Sequence, residues 1–219
     1  MTYHLRVKIC GVTNEADARH AALCGADAVG LNFYPGSPRC IDAVTAKFIL
    51  HELPPFVEAV GLFVNQPLRP VFEFLHPLGR IRTIQWHGDN RELSDCFPYH
   101  LISAFPVRDA KSLLSITRYL DTCRGLDRLP SAILVDAHVP GQHGGTGQTA
   151  PWDLVASFQP GVPVILAGGL TPENVAEAVR IVRPYAVDVA SGVEHSPGHK
   201  DPDKVRRFIA NAREAASRL

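Results

Sequence analysis

No apolar run in this 219-residue sequence reaches the length needed to cross a bilayer. The opening MTYHLRVKICG has none of the pattern of a secretory signal peptide. Net charge is missing too: 22 Lys and Arg balance 22 Asp and Glu. That balance removes the electrostatic case for a nucleic-acid or membrane partner. The five cysteines, Cys10, Cys24, Cys40, Cys96 and Cys123, include no CxxC pair and no Cys/His cluster at zinc spacing. Free thiols in a reducing compartment and no metal site are therefore expected, and with them a soluble cytoplasmic protein. There is no linker, no low-complexity tract and no shift in composition. A GxGxxG turn, the mark of a dinucleotide-binding first unit, is also lacking; CGVTN stands where it would fall.

What the chain does have is alternation. Short apolar stretches bounded by Gly and Pro are predicted as strands: Leu5–Cys10, Ala28–Phe33, Val57–Val64, Ile81–Trp86, Leu101–Phe105, Ala132–Asp136, Pro163–Ala167 and Ala186–Ala190. Between them lie helical segments, opened by Thr13, Asp42, Pro67, Asp109 and Thr171-Pro172, and closed by the amphipathic run Pro202–Leu219. RELSDCF, in the fourth unit, is a poor helix. Eight strand–helix units in about 220 residues predict an α/β fold, a (β/α)8 TIM barrel of phosphate-binding type, as one domain over residues 1–219. A doubly wound open sheet is the rival.

The barrel reading makes the search for chemistry short, because the C-terminal strand ends share one face. Sequence 133–152 stands out. A buried strand there closes on Asp136 and runs into a glycine-rich loop carrying His138 and His143. A carboxyl group enclosed in such a site can hold its proton and act as a general acid, or simply pair with a structural Arg or Lys. Cys10 ends the first strand after Lys8. A cysteine is usually a small buried hydrophobe, but a thiolate beside cationic groups can remove a carbon-bound proton. Arg39, in the stiff YPGSPR loop, can grip a carboxylate or stand solvated. His87, Lys8 and Asp188 are candidates for lining the mouth. Gly168 and Gly169 end the seventh strand, and Ser191 and Gly192 follow the eighth, where such barrels hold phosphate on backbone N–H groups. One thiolate base, one carboxylic acid and no metal ligands point to proton shuttling on a small phosphorylated molecule.

These pieces, in this order, resemble the phosphoribosylanthranilate isomerase family of tryptophan biosynthesis. The matching motifs are VKICG with TNEADA, GADAVGLNFYPGSPR, VGLFVN, QWHG, LVDAHVPGQHGGTGQT, LAGGLTPENV, and VDVASGVE with PGHKD. The resemblance implies an Amadori rearrangement without metal or cofactor, converting N-(5-phosphoribosyl)anthranilate to 1-(2-carboxyphenylamino)-1-deoxyribulose 5-phosphate. It implies Asp136 as the acid on the ribose ring oxygen, Cys10 as the base at carbon 2, and Arg39 on the anthranilate carboxylate. The phosphate would sit on Gly145, Gly168, Gly169, Ser191 and Gly192. A monomer or homodimer is expected, with no nucleic-acid or membrane partner.

The sequence departs from the family's usual pattern at Trp86, Gln148 and Pro151, and in LAGG for LSGG. A lysine lost at position 148 is expected to weaken attraction for a dianionic substrate. Three rivals have distinct requirements. The isomerase of histidine biosynthesis places an Asp where Cys10 stands. Indole-glycerol-phosphate synthase needs a set of strand lysines, and Lys8 alone can be placed. A non-catalytic phosphosugar-binding barrel would keep the glycine turns but lose Cys10 or Asp136.

Overall fold

The computed structural model describes residues 4–88, 98–137 and 152–219. Gly145, His138, His143, Gln148, Pro151 and the RELSDCF segment lie outside the described residues. Eight parallel strands, β1 (Arg6–Cys10), β2 (Ala28–Asn32), β3 (Glu58–Val64), β4 (Thr83–His87), β5 (His100–Pro106), β6 (Ala132–Asp136), β7 (Val164–Ala167) and β8 (Ala186–Val189), pair in sequence order. β8 returns to β1 with Val7 opposite Val187 and Ile9 opposite Val189, which closes the barrel. The (β/α)8 expectation is met.

Alternation along each strand divides the apolar residues into two cores. Val7, Ile9, Ile84, Trp86 and Val187 face outward and pack under the helices. The inner core is small: Val60, Ile102, Ala104, Ala132, Leu134, Ile165, Ala167 and Ala186. These inner positions fill the barrel from below and leave its upper layer to polar side chains. Trp86 therefore points away from the barrel axis. It stacks on Phe63 with ring centroids 6.5 Å apart, and its buried indole N–H has no partner among the described residues.

Among the described residues the covering helices are α1 (Glu15–Leu23), α2 (Ala43–Glu52), α3 (Leu68–Leu75), α4 (Ala110–Gly125), α5 (Trp152–Ala156), α6 (Val175–Val182) and α7 (Pro202–Ser217). Asp42, Asp109 and Asp201 cap α2, α4 and α7 by accepting backbone N–H bonds in the first turn. Two helix starts differ from the sequence expectation. Asn14, not Thr13, caps α1; Thr13 Oγ1 instead donates to the Gly198 carbonyl at 2.5 Å. α6 begins at Val175, because Thr171 and Asn174 are tied in a turn, the Thr171 N–H donating to Asn174 Oδ1 at 2.8 Å. After β8 comes an unforeseen hairpin, β9 (Glu194–Ser196) against β10 (His199–Lys200). Among the described residues no helix is long and apolar enough to cross a membrane.

Candidate active site

At the C-terminal end of the barrel a cavity of about 330 Å³ opens. Its lining includes Cys10 from β1, His87 from β4, Asp136 from β6 and Asp188 from β8. Arg39 and the turns Gly168–Gly169 and Ser191–Gly192 complete it. The structure thus brings nearly all the described sequence candidates to one space. Lys8 is the exception. It does not line the cavity but lies beneath it, 4% exposed. A larger hollow of about 570 Å³ beside Thr13, Cys40 and Asp42 lies outside the strand ends and holds neither Cys10 nor Asp136.

Below Cys10, on the same inward face of β1, the Lys8 ammonium donates to Asp188 Oδ1 and to Gln85 Oε1, both at 2.8 Å. Burial opposes the charge on Lys8, but Asp188 and the neighbouring Cys10 outweigh it and leave the ammonium more basic than usual. The Cys10 proton affinity rises as well, but there the rise favours the neutral form. Burial pushes its thiol above the ordinary value, against the opposing pull of Lys8 and of Lys200. The cationic neighbours expected from sequence are present; desolvation outweighs them, so the thiol holds its proton more tightly than a free cysteine.

Arg39 is not a solvated loop residue. Its Nε and Nη2 donate to the two oxygens of Glu194 at 2.8 and 2.6 Å. Its stem lies across Gly11, which has φ 71°, and a Cβ there would stand 2.4 Å from Arg39 Cδ. Only glycine meets both demands. Glu194 also accepts from the sealed Lys200 ammonium at 2.7 Å. Burial alone would raise the Glu194 carboxyl; bonds from Arg39 and Lys200 reverse this and hold it below the usual range. Lys200 donates in addition to the carbonyls of Cys10, at 2.6 Å, and Ala190, at 3.2 Å. One ammonium therefore ties the ends of β1 and β8 to the support of Arg39.

The two late turns are locked together. A Cβ on Gly192 would lie 1.9 Å from the Leu170 carbonyl oxygen, so the turn after β8 can approach the turn after β7 only without a side chain. Gly168 and Gly169, at φ 94° and 64°, turn the backbone along the cavity wall. Small, unhindered backbone of this kind suits an anion.

Sequence reasoning missed Gln85, Glu194 and Lys200 as working residues. All three sit in the quoted motifs QWHG, SGVE and PGHKD. Gln85 had a readable signal, since it lies two residues before His87 on the same strand face.

The sequence model of the family described as N-(5'-phosphoribosyl)anthranilate (PRA) isomerase matches residues 7–211. The chain belongs to this family. An N-(5'-phosphoribosyl)anthranilate isomerase from Acidithiobacillus ferrooxidans is 48% identical over 210 residues, covering 95% of this chain and 98% of that one. Among solved structures, phosphoribosyl anthranilate isomerase from Thermotoga maritima superposes with a TM-score of 0.83 at 38% identity, covering 96% of this chain and 100% of that one. A second structure of such an isomerase was determined in complex with reduced 1-(o-carboxyphenylamino)-1-deoxyribulose 5-phosphate. It aligns with a TM-score of 0.81 at 36% identity, covering 96% of this chain and 100% of that one. Membership of the PRA isomerase family makes the barrel an isomerase.

Proposed function

We propose that this cavity converts N-(5-phosphoribosyl)anthranilate to 1-(2-carboxyphenylamino)-1-deoxyribulose 5-phosphate in tryptophan biosynthesis, by acid–base chemistry between Asp136 and Cys10. The observation that carries this reading is their common space. A carboxyl from β6 and a thiol from β1 line the same cavity as the glycine turns after β7 and β8.

The Asp136 carboxyl donates a proton to the ribose ring oxygen. The bond from that oxygen to carbon 1 breaks, and the anthranilate nitrogen pair forms the C=N of a protonated Schiff base. Cys10, as thiolate, takes the proton from carbon 2. The released electron pair forms the carbon 1–carbon 2 double bond and neutralises the nitrogen. The resulting enolamine tautomerises, carbon 2 becoming the ketone and carbon 1 taking a proton. Proton count is conserved, as an isomerisation requires. Lys8 and Lys200 favour the thiolate that burial disfavours. The substrate's phosphate is held by the backbone of Gly168, Gly169, Ser191 and Gly192. The role assigned to Gly145 rests on the motif alone.

Glu194 occupies one edge of the Arg39 guanidinium and leaves its remaining N–H groups to a substrate carboxylate. The test is a fluorescence-decay assay with freshly made phosphoribosylanthranilate. Wild-type protein is expected to consume it, and Arg39→Ala to act mainly by raising KM. No turnover by folded wild-type protein would sink the reading. A loss of phosphate-analogue affinity without a change toward the aromatic substrate would remove Arg39 from the carboxylate.

A further inference from the structure

Gln85 and His87 share the inward face of β4, and Gln85 Nε2 lies 2.8 Å from His87 Nε2. Which of the two nitrogens donates is decided one bond away. Lys8 Nζ approaches the other end of the Gln85 amide at 2.8 Å. An ammonium has only protons to give, so the amide atom facing it must be the oxygen. The NH2 end therefore faces His87 and can only donate. His87 Nε2 must then be the bare, accepting nitrogen, and the ring proton must sit on Nδ1. Asp188, accepting from Lys8 at 2.8 Å, fixes the start of this chain. His87 itself lines the cavity that holds Cys10 and Asp136.

We infer that Lys8 and Gln85 lock His87 in the Nδ1–H tautomer, and that this N–H donates to a hydroxyl oxygen of the sugar during the rearrangement. The inference deepens the isomerase reading and rests on it for the identity of the sugar. The two N–H directions of an imidazole diverge widely, so a ring whose Nε2 faces Gln85 turns Nδ1 away from that amide. Burial first, then the Lys8 ammonium, keep the ring harder to protonate than free histidine; Asp188 and Asp136 oppose them without prevailing. A neutral donor suits a hydroxyl group better than an imidazolium would, because it adds no charge that favours carboxylate or phosphate at that spot. In this scheme His87 touches the substrate, while Lys8 and Gln85 are positioning residues that act through it.

The experiment reads the tautomer directly. Ring-nitrogen NMR of uniformly 15N-labelled protein, with His87 assigned by difference from His87→Asn, is expected to show a neutral ring protonated on Nδ1. Addition of ribose 5-phosphate is expected to shift that nitrogen. A ring protonated on Nε2, or a charged ring at neutral pH, would overturn the lock; an unmoved Nδ1 would overturn the sugar contact. Gln85→Glu offers His87 only acceptors and should move its proton to Nε2. Wild-type spectra decide the matter even where that variant fails to fold.

Kinetics give the second arm. His87→Ala is expected to lower kcat/KM roughly tenfold or more, the loss of one substrate hydrogen bond. His87→Asn, whose amide N–H stands near the Nδ1 position, should recover most of it. Equal activities in the alanine and asparagine variants would contradict a donor role. A wild-type protein with no isomerase turnover but the expected nitrogen shifts would sink the reaction proposed above and leave the lock standing.

Discussion

Lys8 and Lys200 are both almost sealed from water, and each faces a carboxylate, at 2.8 and 2.7 Å respectively. Their proton affinities nonetheless move in opposite directions. Burial opposes both charges. For Lys8, inside the barrel, Asp188 and Cys10 more than make up for it, and the ammonium is strengthened. For Lys200, outside the strand ends, burial prevails over Glu194 and Cys10, and the positive charge of Arg39 adds a smaller push in the same direction. A carboxylate shared by two cations stabilises each less than one held alone. Lys8 thus behaves as a fixed charge under the cavity, and Lys200 as a brace that organises Arg39 and the Cys10 carbonyl.

The largest expected effect that tests this contrast is on stability. Lys8→Met leaves Asp188 buried without its cation and should cost about 3–5 kcal/mol in urea unfolding. Next comes Gly30→Ala. A Cβ there would lie 2.6 Å from Cys10 Sγ and 3.1 Å from Lys8 Nζ. Displacing the thiol by about an ångström should lower kcat by roughly a hundredfold. Lys200→Met should cost less than Lys8→Met, about 1–3 kcal/mol, because Arg39 still holds Glu194. The opposite order of the two methionine variants would break the comparison.

The smallest effect concerns pH. Glu194 titrates below its ordinary value in the folded chain, so the unfolded chain binds more protons between the two values. The stability it contributes is complete above the ordinary glutamate range and disappears as pH falls through the lower folded value. Wild type should therefore exceed Glu194→Gln at neutral pH and converge with it in acid. On the alkaline side the signs separate. Lys8, raised, loses its contribution only as pH climbs past the usual lysine range. Lys200, lowered, lets stability rise with pH just below that range. A Lys200→Met variant that kept the wild-type slope there would contradict the assigned direction.

Much of the architecture is readable from local pattern. β6 falls at Ala132–Asp136 as expected, since an apolar run ending in Asp before a glycine-rich loop has few other solutions. Strand ends then gather Cys10, His87, Asp136 and Asp188 by barrel geometry alone. Caps are harder, because Thr13 and Asn14, or Thr171 and Asn174, all have the chemistry for the task; long-range and turn contacts decide between them. The β9–β10 hairpin is too short to show a period. Glu194 escaped because its pairing with Arg39 spans 155 residues in sequence, and Lys200 because its bond to the Cys10 carbonyl spans 190; no spacing rule reaches so far. The high proton affinity of Cys10 depends on burial, which only the packed barrel defines.

The proposed acid and base are tested most directly by measuring turnover of Cys10→Ala and Asp136→Asn side by side, with circular dichroism to show that both remain folded. Each is expected to fall by about two orders of magnitude or more, with phosphate binding retained. Near-wild-type turnover in either variant would take that residue out of the chemistry and leave the shared cavity without its pair.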